Sequence, residues 1–343
     1  MKPKLYRYQY FSMIVLYCLS GIFLPGILER SRGIASYPAF LAAPFIGVGL
    51  LLLLICALKG EGGIAAIARR RLGKVVGGAV SIIYIAYFLL TAGELFCFYG
   101  LYLSAGEEPL FYFIPIALTA MLAAGYGTTA LGRTALIFAP LMLIFAFGLS
   151  ASGFAKGNFE NFLAFAVLSW EEIGMIALVL AVLSMGQVIA VMAISPAQCR
   201  TAKLTLSAAL LPNIAVIGIA AAAIMLDGQT PLINDVKYFP QKASGDFSEL
   251  KMIAEFVLFF CAAFRISVCL RAAAVTAAEL ANVQSARRFI FSFALGLLGI
   301  ARMLSQNIGE FAEYLLRYTP VIGALPLVIL PLLLIIFRRR ELR

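Results

Sequence analysis

Phe259-Phe260-Cys261-Ala262-Ala263-Phe264-Arg265-Ile266-Ser267-Val268 sets one arginine inside an otherwise apolar run that begins near Met252. A guanidinium does not give up its proton in a protein. If the run crosses a bilayer, Arg265 lies deep in hydrocarbon at a cost of at least about 2.5–3.5 kcal/mol. A charge kept at that cost faces a polar interior, a partner or a transport path. The run therefore reads as one span of a polytopic membrane protein with a functional polar centre.

The rest of the chain agrees. Of its 343 residues, 63% are apolar and 13% charged, and the mean hydropathy is +0.98. A soluble domain carries roughly 25% charge. The net charge of +10 comes from basic residues clustered at the ends of apolar segments. That pattern signals topology rather than a nucleic-acid face.

There is no histidine, which excludes imidazole metal sites, triads and proton relays within the chain. The six cysteines lie in or directly after apolar segments and form no C-x-x-C pair, so a disulfide framework is not expected. No nucleophile–base constellation or cofactor fingerprint is visible, so an enzyme is the least favoured class. The N-terminus, Met1 to Arg7 and the apolar run after it, reads as a retained first span rather than a cleaved leader.

Ten candidate spans follow: 9–28, 37–58, 76–103, 109–125, 134–152, 172–195, 203–226, 251–275, 288–305 and 318–337. Each comes near the length of about 17–25 residues that a spanning helix needs. With both termini in the cytoplasm, 17 of the 27 Lys and Arg fall on the inner side, so the positive-inside rule favours an even count. The inner stretch from Glu61 to Lys74 suits a short helix lying on an anionic leaflet, and a plain basic loop fits it equally. The outer loop from Asp227 to Glu249 is the longest and suits a lid or a subunit contact.

The expected fold is all-α: a single transmembrane permease-like domain over 1–343, built as two five-helix inverted repeats, about 8–153 and 163–337. In such LeuT-like architectures the ligand binds near the midplane, where the first helix of each half is broken. Leu19-Ser20-Gly21-Ile22 in the first span and Ser184-Met185-Gly186-Gln187 in the sixth supply glycine interruptions. At 1.5 Å per residue, Gly21, Gly186 and Arg265 all lie about 18–21 Å into their spans, near the centre of a core about 30 Å thick. Ser20, Gly21, Ile22, Ser184, Gly186 and Gln187 are therefore the candidate ligand-binding residues. Arg265 and Ser267, with Glu94 of the third span, form the candidate charge and coupling group. Glu94 pairs with Arg265, binds a substrate amine or carries a proton, and pairing is favoured. Close helix packing is the competing reading of both glycines. Tyr84, Tyr87, Phe96 and Phe98 read as packing, and Trp170 as an interface anchor.

Several segments in succession resemble the spore germination permease family, the B-type subunits of germinant receptors. They are Arg7-Tyr8-Gln9 before the first span, Gly132-Arg133-Thr134 before the fifth, Lys156-Gly157-Asn158-Phe159-Glu160-Asn161-Phe162 before the sixth, and Phe264-Arg265-Ile266-Ser267 in the eighth. Arg265 stands where that family usually carries Lys, and Gly33-Ile34-Ala35-Ser36-Tyr37-Pro38 replaces its aromatic signature after the first span. The resemblance implies a ten-helix fold of the amino acid–polyamine–organocation superfamily. It implies that a small germinant, typically an amino acid, is sensed in the spore inner membrane alongside A-type and C-type subunits. In sodium-coupled transporters of this architecture a cation bridges helices 1 and 8, and Arg265 on the eighth span would take its place. A proton-coupled amino acid transporter is the alternative function.

Overall fold

The computed structural model describes residues 5–20, 37–60, 62–104, 110–160, 169–227, 248–304 and 308–338. Gly21, Ile22 and nearly all of the long outer loop lie outside them. Every regular element among the described residues is helical. The helices are α1 (Arg7–Leu19), α2 (Tyr37–Ala57), α3 (Ile64–Ser104), α4 (Leu110–Tyr126), α5 (Thr128–Lys156) and α6 (Trp170–Ser184). A 3₁₀ turn, Gly186–Val188, then leads into α7 (Ile189–Ile194), followed by α8 (Ala202–Asp227), α9 (Ser248–Ala281) and α10 (Arg287–Leu304). The last span is α11 (Ile308–Ala324), a π turn (Leu325–Ile329) and α12 (Leu330–Arg338).

Within the described residues, each of the ten expected spans overlaps helix. Among the described residues, seven helical stretches are long and apolar enough to cross a membrane. The remaining three expected spans correspond to α1, α4 and α10. In α10 the buried residues Ile290, Ala294, Leu297 and Ala301 form one stripe at helical spacing, while Phe291 and Leu295 point outward. Phe45, Ile144 and Val321 are likewise exposed, as befits side chains that meet lipid.

Local chemistry sets the helix ends. Ser169 accepts the Glu172 N–H at its Oγ, and Glu172 accepts the Ser169 N–H in return, so a capping box starts α6. Gly127, at φ +97°, makes the one-residue turn from α4 to α5. Asn282, at φ +55°, ends α9: the Val283 N–H bonds the Ala278 carbonyl and the Asn282 N–H the Glu279 carbonyl, a left-handed C-cap.

The stretch after Glu61 differs from the expectation of a helix on the leaflet. A helix does form, bent from the third span at Gly73 (φ +82°). Its apolar face, Ile64, Ala65, Ile67 and Ala68, is buried against the protein. Two of its arginines bond to the protein as well. Arg71 donates to Ala57 O (2.6 Å), Lys59 O (2.6 Å) and Leu334 O (3.1 Å). Arg69 donates to Glu279 O (3.1 Å) and to Leu280 O. Glu279 in turn accepts backbone N–H groups of Gly63, Ala65 and Ala66. Each helix thus caps the other's end, and orphan backbone groups hold Arg69 and Arg71.

Packing follows the five-plus-five plan. The third and eighth spans (α3, α9) make the most extensive interface, and with α4 and α10 they form a four-helix scaffold. The first, second, sixth and seventh spans pack as a second group. Contacts come in mates under a shift of five spans: first–seventh with second–sixth, first–fifth with sixth–tenth, third–ninth with fourth–eighth. Two equivalent halves produce that exchange.

Candidate functional site

Arg265 lies on the scaffold helix α9 and has no solvent exposure. Its Nη2 donates to the Leu183 carbonyl and to Gln187 Oε1 (2.6 Å). Both acceptors flank the break in the sixth span. There α6 stops at Ser184, Met185 is drawn out to φ −107° at ψ −36°, and one 3₁₀ turn precedes α7. A continuous helix would tie the Leu183 carbonyl to its own ladder; the break frees it. The guanidinium also sits 4.8 Å from the centre of the Tyr17 ring in α1, within cation–π range. Arg265 therefore joins the first, sixth and eighth spans.

Among the described residues Arg265 Nε and Nη1 have no hydrogen-bond partner. Leaving buried charged donors unmade is costly. The site thus holds unmet charged donors at Nε and Nη1, on two different edges of the guanidinium, and a carboxylate oxygen can accept from either.

The expected residues divide as follows. Ser20 is buried at the end of α1, donates to Tyr17 O (2.6 Å), and accepts the Tyr99 hydroxyl at its carbonyl. Ser184 accepts the Cys18 thiol at its carbonyl (3.4 Å), and its own Oγ is buried without a partner among the described residues. Gln187 touches Arg265 directly. Gly186 opens the 3₁₀ turn, and a Cβ there would meet Leu327 Cδ1 at 2.6 Å, so close packing is one reason for glycine. Ser267 donates to Phe264 O (2.6 Å) in its own helix, so its hydroxyl proton is spent outside the site.

The favoured pairing of Glu94 with Arg265 does not occur. Glu94 is buried but accepts the Tyr314 hydroxyl (3.2 Å) from α11, and neutral acceptors hold Arg265. The guanidinium lies against the opened sixth span and leaves the carboxylate to the last one. Tyr84 donates to Pro326 O (2.9 Å) and is fully buried, in keeping with a packing role. Trp170 is 87% exposed, as an anchor at the membrane edge should be.

Sequence reading missed Tyr17, Cys18 and Cys269. Tyr17 OH and Cys269 Sγ are 3.2 Å apart, which closes a polar cluster around the guanidinium. One signal was present: Cys269 stands four residues after Arg265 and so shares its helix face. Tyr17 carried no such signal, because only the fold brings the first span against the eighth.

No family model matches the sequence, and no curated protein does. Among solved structures the chain is similar to Mhp1, a nucleobase-cation-symport-1 family transporter, in a closed conformation with bromovinylhydantoin bound. That match has a TM-score of 0.63 and 14% identity, and covers 90% of this chain and 74% of that one. The inward-facing conformation of Mhp1 matches with a TM-score of 0.54 and 13% identity over 95% and 75%. Likeness at such identity establishes the fold: an all-α membrane architecture of the LeuT-like kind.

Proposed function

We propose that this chain is a membrane-embedded receptor for a small carboxylate ligand, gripped at the midplane by Arg265 beside the broken sixth span. One observation carries the reading: a fully buried guanidinium with two unpartnered N–H positions, fixed between a freed carbonyl and an aromatic face. An amino acid fits this chemistry. Its carboxylate would accept from an unmet N–H of Arg265, and its ammonium would donate to the unpartnered Ser184 Oγ. The resemblance to the germination permeases gives the role. The chain would be the B-type subunit of a germinant receptor, seated in the spore inner membrane with A-type and C-type partners and both termini in the cytoplasm. It would be one domain of two repeats, about 8–153 and 163–337. Ligand binding would shift the packing of the two helix groups, provided that one arrangement binds more tightly.

Purified protein in lipid nanodiscs should be stabilised by one or a few amino acids, and Arg265→Ala should abolish that stabilisation while the helical circular dichroism persists. Equal stabilisation of the variant would overturn the site. The Mhp1 structure holds bromovinylhydantoin, and stabilisation by neutral hydantoins alone would also count against a carboxylate anchor.

A proton-coupled amino acid transporter is the second reading. The likeness to a transporter fold and the buried Glu94–Tyr314 pair favour it. Accumulation of labelled amino acid by proteoliposomes holding only this chain, lost in Glu94→Gln, would select it over a receptor subunit.

A further inference from the structure

On the face that carries Arg69 to Arg71, away from the Arg265 site, a cavity of about 540 Å³ opens between the short arm of α3 and the end of α9. Arg69, Arg271, Glu279, Asn282 and Gln284 supply its polar lining. Its one carboxylate is held by backbone: Glu279 accepts N–H groups of Gly63, Ala65 and Ala66, while its Oε2 is buried without a hydrogen-bond partner among the described residues. Arg69 is spent on the carbonyls at the end of α9 and on Asn282 Oδ1 (3.3 Å). Arg271 is different. Its Nε is buried and has no hydrogen-bond partner among the described residues.

Arg271 also has a like-charged neighbour. Its guanidinium reaches the turn between α4 and α5, with Nη2 3.7 Å from where a Cβ of Gly127 would stand. Arg287 arrives at the same turn, where its Nε donates to Gly125 O (2.7 Å), and its charge is felt at Arg271. Two guanidiniums brought together, with no ion pair to Arg271 among the described residues, repel each other. A bound anion relieves that repulsion and supplies acceptors for the unmet donor.

We propose that this cavity is an anion site for a phosphate group, held by Arg271 with Arg287 and the amide of Gln284. Arg271 offers a planar fork suited to phosphate oxygens. The positive-inside rule puts this face in the cytoplasm, where anionic headgroups and soluble phosphates both occur, and basic pockets between helices are known to take such headgroups.

The test uses the full chain. Native mass spectrometry follows release from nanodiscs of phosphatidylcholine with or without phosphatidylglycerol, and thermal unfolding in phosphatidylcholine nanodiscs is followed as inorganic phosphate is added. Retained phosphatidylglycerol, with no effect of inorganic phosphate, identifies a lipid headgroup. Stabilisation by inorganic phosphate in the neutral lipid identifies a soluble anion. In either case Arg271→Gln should weaken binding roughly tenfold, the scale of one lost charge-assisted pair, and Arg271→Lys should weaken it less. Arg287 is exposed, so Arg287→Gln should fold normally and also weaken the same probe, which keeps the test decisive if Arg271→Gln does not fold. Failure of both probes to bind the unmodified chain, or unchanged binding in the folded variants, overturns the proposal.

Discussion

At the scale of the residue, Arg265 is tied to neutral partners only, and the side chains among them can be removed separately. Tyr17→Phe keeps the ring beneath the guanidinium and deletes the hydroxyl that meets Cys269. It should cost about 1 kcal/mol, the usual worth of one hydrogen bond. Tyr17→Leu also removes the cation–π contact and should cost about 0.5–2 kcal/mol more. The unfolding midpoints of the two variants in one detergent measure the difference, and equal midpoints would show that the ring contributes nothing. Arg265→Lys keeps the charge and loses the planar fork, so ligand stabilisation should fall between that of the unmodified chain and Arg265→Ala. The charge itself was legible in the sequence, because an arginine amid Phe, Cys, Ala and Ile has one plain reading. Its partners were not. Glu94, a carboxylate within the third span, looked like the natural counter-ion, yet the backbone and Gln187 of the sixth span hold the guanidinium instead. A freed carbonyl leaves no mark in the sequence until the site of unwinding is known.

At the scale of the element, the break in the sixth span sits where Gly186 permits the 3₁₀ turn to approach the last span. A methyl group at Gly186 would press on Leu327 at 2.6 Å. Gly186→Ala should therefore destabilise by about 1–3 kcal/mol, the range for overpacking a filled interior. Leu327→Ala in the same chain should return part of the loss, because residues in contact are not additive. A chemical-denaturation cycle over the four proteins checks this, and strict additivity would mean that the two side chains never meet. The interruption itself was readable from Ser184-Met185-Gly186-Gln187, and its depth from counting at the helical rise. The π turn after Ala324 was not, since Leu325-Pro326-Leu327 reads as ordinary apolar span. Nor was the docking of the short arm of α3. Its spacing of Ile64, Ile67 and Ala68 gives an apolar stripe, and such a stripe suits a lipid surface or a protein face equally well.

At the scale of the whole molecule, Arg265 reaches from the four-helix scaffold into the group that contains the first and sixth spans, so whatever binds there acts across the boundary between two bodies. Arg200 makes a second crossing at the basic face, donating from Nη2 to Gly60 O and Gly62 O at 2.9 Å each. Burial pushes this guanidinium below its ordinary range. Arg200→Gln should loosen that end of the molecule, and the amides of residues 57–62 should exchange with deuterium faster while those of α9 near Arg265 keep their protection. Unchanged exchange at 57–62 would show that the contact is incidental. The ten-span count and the five-plus-five plan were legible because hydropathy and basic-residue asymmetry act along the whole chain, whereas the pairing of spans depends on contacts between residues far apart in sequence. One feature bears on the protein's working conditions. Arg69, Arg200 and Arg265 are held by carbonyl and amide oxygens in place of carboxylates. Dipolar bonds at contact distance lie well inside a Debye length, so dissolved electrolyte barely weakens them. The fold should therefore tolerate strong dehydration and concentrated brine, conditions under which a molecule clasped by surface ion pairs would slacken.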